Sequence, residues 1–118
     1  MIVTGDYRDH AAMRLPGIQR ALLGKLIGLI EELYAESNGF LDNPEETQRW
    51  YNRGYANGMI TSLDALGYGE LLDERLRRDP TDIIAGFETF DWGQAYRHGL
   101  ETGDRETREV IGPAPGHG

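Results

Sequence analysis

Three pairs of glycines four residues apart, Gly24 and Gly28, Gly54 and Gly58, and Gly99 and Gly103, fall inside segments whose apolar residues recur with a helical period. A glycine in a helix interior costs about 0.5–1 kcal/mol relative to alanine, so a chain with such positions needs a compensating gain. Four-residue spacing puts each pair on one helix face, where the missing side chains let another backbone come close. The spacing is most informative between helices in membranes and counts here as geometry alone. It nevertheless restricts the chain to helices that pack tightly against something.

Punctuation and periodicity place those helices. From Gly17, Ile18, Leu22, Leu26, Leu29, Ile30 and Leu33 form one stripe, widened by Leu23, Ile27 and Tyr34, and Asn38-Gly39 supplies the stop. Gly24 and Gly28 lie opposite this face with Ala21 and Ala35, so contact on two sides is expected. A second helix is expected from Asn43 to Leu66, with Asn43 as cap, Pro44 at the first helical position and Glu46 at the third. Its apolar face reads Tyr51, Tyr55, Met59, Leu63 and Leu66; Gly54, Gly58 and Ala65 form a small-residue strip along one edge. A third helix is expected over Glu70 to Arg78. A fourth would begin at Pro80, with Ile83, Ile84, Phe87 and Phe90 inward. The pattern changes phase near Thr89 to Asp91, where a fifth helix would start and run to about Thr102, with a further turn or two from Asp104 to Ile111. Met1 to Thr4 could be a short strand-like segment, and Asp6 to Arg14 a short helix. The expected fold is all-α, a compact bundle of four to six helices in one domain over residues 1–112, with residues 113–118 a flexible tail.

Tyr51-Asn52-Arg53-Gly54 and Gly58 resemble Tyr96-Arg97-His98-Gly99 and Gly103, and the same offset aligns Gly67 with Gly112, a weak signal of duplication. The small-residue strips suit either close packing within one chain, the favoured reading, or an interface between two copies.

Composition narrows the functional classes. The 118-residue chain carries a formal charge of −8, which disfavours nucleic acid as a partner because phosphate binding relies on Lys and Arg. The absence of cysteine excludes disulfides, thiolate metal sites and cysteine nucleophiles. No apolar run reaches the length of a membrane span, so no membrane partner is expected, and the amino terminus lacks the pattern of a secretory signal, so the cytoplasm is expected. His10, His98 and His117 show no metal-ligand spacing, and neither a metal nor a cofactor is expected.

Candidate contact residues cluster in two places. Arg49, Trp50, Asn52, Arg53, Tyr55 and Asn57 crowd one helix, and Trp92, Tyr96, Arg97 and His98 form a second group. Aromatic rings and Arg are the residue types that dominate binding hot spots. The leading expectation is a non-catalytic, acidic protein-binding module, regulatory or inhibitory, of the kind phages and mobile elements encode. It would contact another protein through Arg49, Trp50, Arg53, Tyr55, Trp92, Tyr96, Arg97 and His98, and form a homodimer. The alternative is a small-ligand or nucleotide binder with those side chains turned inward. A third reading starts from Glu31, Glu32, Glu36, Glu45 and Glu46, which resemble the acidic clusters with which all-α nucleotide pyrophosphohydrolases hold magnesium. Those enzymes need acid pairs on facing helices, whereas here Glu32, Glu36 and Glu46 would be joined only by Asp64 near the far end of the second helix.

Overall fold

A computed structural model describes residues 17–72 and 76–114, and within them the chain is all-helical. Three α-helices, α1 (Gly17–Glu36), α2 (Thr47–Ala65) and α3 (Asp91–Val110), are joined by irregular segments with two 3-10 turns, Phe40–Asp42 and Gly69–Leu71. The expected strand-like segment at Met1 to Thr4, the helix at Asp6 to Arg14 and most of the tail lie outside the described residues.

α2 is the central element because two of its faces are used differently. Ala56, Met59, Ile60 and Leu63 pack with Leu23, Leu26 and Ile30 of α1 in the main core, which also takes in Tyr68, Leu76 and Ile111. Full burial of side chains such as Ile30, Met59 and Leu63 contributes about 1.5–3 kcal/mol each. The other face carries Gly54 and Gly58 and meets α3 backbone to backbone. A Cβ at Gly54 would stand 2.9 Å from the Tyr96 carbonyl carbon and 3.1 Å from Leu100 N, and one at Gly58 would stand 2.8 Å from Asp104 N. Reciprocally, a Cβ at Gly99 would lie 2.9 Å from Tyr55 N, and one at Gly103 would lie 2.9 Å from the Tyr55 carbonyl carbon. Contact positions advance together along both helices, so α2 and α3 run parallel. The segments related by the 45-residue offset lie side by side: Gly54 meets Tyr96 and Leu100, the counterparts of Tyr51 and Tyr55, which Gly99 meets.

Among the described residues between α2 and α3, neither of the two expected helices is seen. The chain between α2 and α3 must return along their length, and its backbone groups bond to the helices it passes. Asp79 N–H donates to Asn57 Oδ1 (3.2 Å), and the Arg77 carbonyl lies 3.1 Å from the Tyr34 hydroxyl oxygen. Where a helix was expected over 70–78, the chain makes the Gly69–Leu71 turn and leaves it extended at Leu72. From Pro80 to Phe90 it forms successive tight turns, Ile83 N to Pro80 O, Ala85 N to Asp82 O and Phe87 N to Ile84 O, with Gly86 at φ 86° breaking any helix. The described residues therefore hold three α-helices rather than four to six. The phase change near Asp91 does mark a helix start, and α3 continues unbroken to Val110.

The start of α2 also differs from expectation. Asn43 turns its amide back to donate to the Gly39 carbonyl (2.7 Å), Pro44 and Glu45 lie in a turn, and Glu46 occupies the cap position. The detour brings the Asn43 carbonyl to Trp50 Nε1–H (3.2 Å) and sets Phe40 edge-on to Trp50, so tertiary contacts outweigh the local capping signal. Behind α2, Gly67 at φ 97° reverses the chain, and Tyr68 OH donates to the Gly112 carbonyl (2.7 Å). Ala114 N–H then donates to the Leu66 carbonyl (2.8 Å), which holds the first residues of the expected tail against the helix.

Candidate functional site: a polar hub and an aromatic end

Asn57 is 1% exposed and uses all four of its hydrogen-bonding capacities. Its amide donates to Asp79 Oδ2 (2.7 Å) and to Tyr96 OH (2.8 Å), and its carbonyl accepts from Tyr34 OH (2.5 Å) and from Asp79 N–H. α1, α2, α3 and the returning segment are thereby tied at one point. Burial raises the Tyr34 hydroxyl pKa well above its ordinary value, reinforced by the Asp79 charge, and burial likewise pushes Tyr96 up to about 12. Arg53 extends the hub. Its guanidinium sits 4.1 Å from the Tyr34 ring centroid and 4.7 Å from that of Phe40, pairs with Asp79 at 3.6 Å, and leaves its buried Nε without a hydrogen-bond partner. Beside the hub, Asn57, Thr61, Asp79, Tyr96, Leu100 and Glu101 line a cleft of about 250 Å³.

The second cluster joins this hub to the surface. Trp50, only 2% exposed, has Phe40 at 4.8 Å, Trp92 at 4.4 Å and Tyr96 at 6.3 Å between ring centroids. From the half-buried Trp92 the aromatic chain continues outward to Phe87 at 5.0 Å and Phe90 at 5.9 Å, and those two rings meet edge-on at 5.4 Å. Phe87 is 43% and Phe90 51% exposed. Gly93 makes this placement possible, because a Cβ there would stand 3.0 Å from the Phe87 carbonyl carbon; the 87–90 segment lies directly across the first turn of α3.

No family model matches this chain, and neither does any curated protein or solved structure.

The expected contact residues separate into three groups. Trp50 and Tyr96 are core residues rather than surface contacts, because the Phe40 turn and the returning segment close over them. Arg49, Arg53 and Tyr55 are half-buried and engaged internally: Arg49 pairs with Glu46 (3.0 Å), Arg53 belongs to the hub, and Tyr55 OH donates to Glu106 (2.5 Å). Burial, with that bond, pushes the Tyr55 pKa up to about 12. Trp92 reaches the surface beside Phe87 and Phe90, while Arg97 and His98 are exposed on α3, with the His98 ring 5.6 Å from Tyr51. Of the small residues, Gly54 and Gly58 form the helix seam. Ala65 is exposed. Among the described residues, Gly24 and Gly28 would have nothing within 4 Å of an added Cβ, so within them α1 is contacted on its Leu/Ile face and open on its glycine face.

Phe87 and Phe90 were expected inward, and their exposure is the feature that periodicity missed. The available signal was Gly86, which interrupts the apolar run between Ile84 and Phe87. Among the described residues no group of three or more His, Asp or Glu gathers as a metal site, so Glu32, Glu36, Glu46 and Asp64 are not assembled into one. No described helix is long and apolar enough to cross a membrane.

Proposed function

We propose that this protein is a non-catalytic acidic binding module, regulatory or inhibitory, that docks on another protein through the Phe87–Phe90–Trp92 surface. The observation that carries the reading is the contact of three aromatic rings at the surface, fixed from beneath by Trp50 and from behind by Gly93. Contiguous exposed apolar surface marks interaction sites, and rings already held in place lose little side-chain entropy on binding. The test pairs wild type with Phe87→Ser/Phe90→Ser in capture from the source cells. Helicity unchanged by circular dichroism with loss of the captured partner supports the surface; retention of the same partner rejects it.

Homodimer formation belongs to the same proposal and draws on the open face of α1, where Gly24 and Gly28 leave the backbone accessible. Sedimentation equilibrium checks it, and a monomer at high micromolar concentration counts against it. The small-ligand alternative draws on the cleft beside Asn57, and a thermal shift with nucleotides would favour it.

A further inference from the structure

The segments that carry and support the docking surface are acidic. The segments 37–49 and 80–96, which meet through Phe40, Trp50, Ile84 and Tyr96, together carry six acids, Asp42, Glu45, Glu46, Asp82, Glu88 and Asp91. All six are exposed. Within these segments the one cation is Arg49, its guanidinium held by Glu46 and by the Asn38 carbonyl; Arg53 nearby is paired with Asp79, and the exposed Arg97 follows directly on α3. Aromatic rings at a surface also suit insertion into lipid. An anionic membrane would be repelled by this rim, whereas a protein segment bearing Lys or Arg beside apolar side chains would meet complementary chemistry at both.

We infer that the Phe87–Phe90–Trp92 surface docks a basic amphipathic segment of its partner, the apolar side chains seated on the rings and the cations on the acidic rim. The inference rests on the docking reading above and adds the chemistry of the partner.

The experiment titrates the full chain with an amphipathic peptide of Leu and Lys and with a Leu/Glu peptide of the same pattern, following tryptophan fluorescence at low and high salt. The expected result is binding of the Leu/Lys peptide that weakens about ten-fold or more as salt screens the rim, with no binding of the Leu/Glu peptide. Asp42→Asn/Glu45→Gln/Asp82→Asn, which removes rim charge without touching the rings, is expected to lower affinity by about ten-fold. Phe87→Ser/Phe90→Ser is expected to abolish binding. Equal binding of both peptides, sensitive to the ring variant but not the rim variant, overturns the basic partner and leaves the docking surface standing. Binding indifferent to the ring variant overturns both. No binding of the Leu/Lys peptide, or a response only to phosphatidylcholine or phosphatidylserine vesicles, also overturns the inference, the latter assigning the rings to lipid.

Discussion

Gly54 and Gly58 on α2 share their spacing with Gly24 and Gly28 on α1, yet the first pair lies against a neighbouring backbone and the second against nothing within 4 Å. The difference comes from what surrounds each pair on the wheel. On α2 the glycines border a face that α3 can cover while the opposite face holds α1. On α1 they lie behind the Leu23, Leu26 and Ile30 stripe, and the chain has no described element left to cover them. Four-residue spacing permits close approach without requiring it, so the same motif is structural in one helix and an open surface in the other.

The largest expected effect is at the seam. Gly58→Ala places a methyl against the backbone of Leu100 and Asp104, where neither helix can yield by a rotamer change, and should cost about 3 kcal/mol or more in urea unfolding. An effect below about 1 kcal/mol would mean the helices separate easily and that the seam is loose.

The hub comes next. Asn57→Ala strips partners from Tyr34, Tyr96 and Asp79 together and should cost about 2–3 kcal/mol. If unfolding shows only the loss expected at an exposed position, water must replace the amide and the hub is not closed.

A third effect is confined to alkaline solution. Tyr55 and Tyr96 ionise near pH 12 in the fold and near 10 when unfolded, with Tyr34 also raised, so the folded state holds protons that the unfolded state has released. Their stabilisation is complete below pH 10 and is lost as pH rises from 10 through 12. Unfolding free energy measured across that range should be level and then fall, and a level profile to pH 12 would place the hydroxyls in water.

The smallest effect has the opposite sign. Gly24→Ala on the open face should stabilise the monomer by about 0.5–1 kcal/mol through helix propensity. If it instead weakens self-association in sedimentation, the open face of α1 is in contact with a second copy.

The all-α class, the helix from Gly17, the stop at Asn38-Gly39 and the start of α3 were legible because each rests on local periodicity or turn chemistry. The cap at Asn43 misled because Phe40 and Trp50 redirect the chain there, a contact across ten residues that no local signal encodes. The turns after Pro80 misled for a related reason: Ile84 goes inward while Phe87 and Phe90 are turned out by Gly86 and held across Gly93. Asn57 stood among the residues singled out on α2, but its role as an internal junction depends on Tyr34, Asp79 and Tyr96 arriving from three other parts of the chain. The offset between the two glycine-bearing segments was visible, whereas their parallel packing side by side was not.

The fold depends on that seam closing within a single chain, and nuclear Overhauser contacts test it most directly. The Hα of Gly54 that stands where a Cβ would be should show a strong contact to the Leu100 amide, and that of Gly99 to the Tyr55 amide. Both should persist in a sample of labelled protein diluted into unlabelled. Absence of both contacts, or their appearance only between labelled and unlabelled molecules, would show that α2 and α3 are not joined in one chain and would contradict the fold on which the docking surface depends.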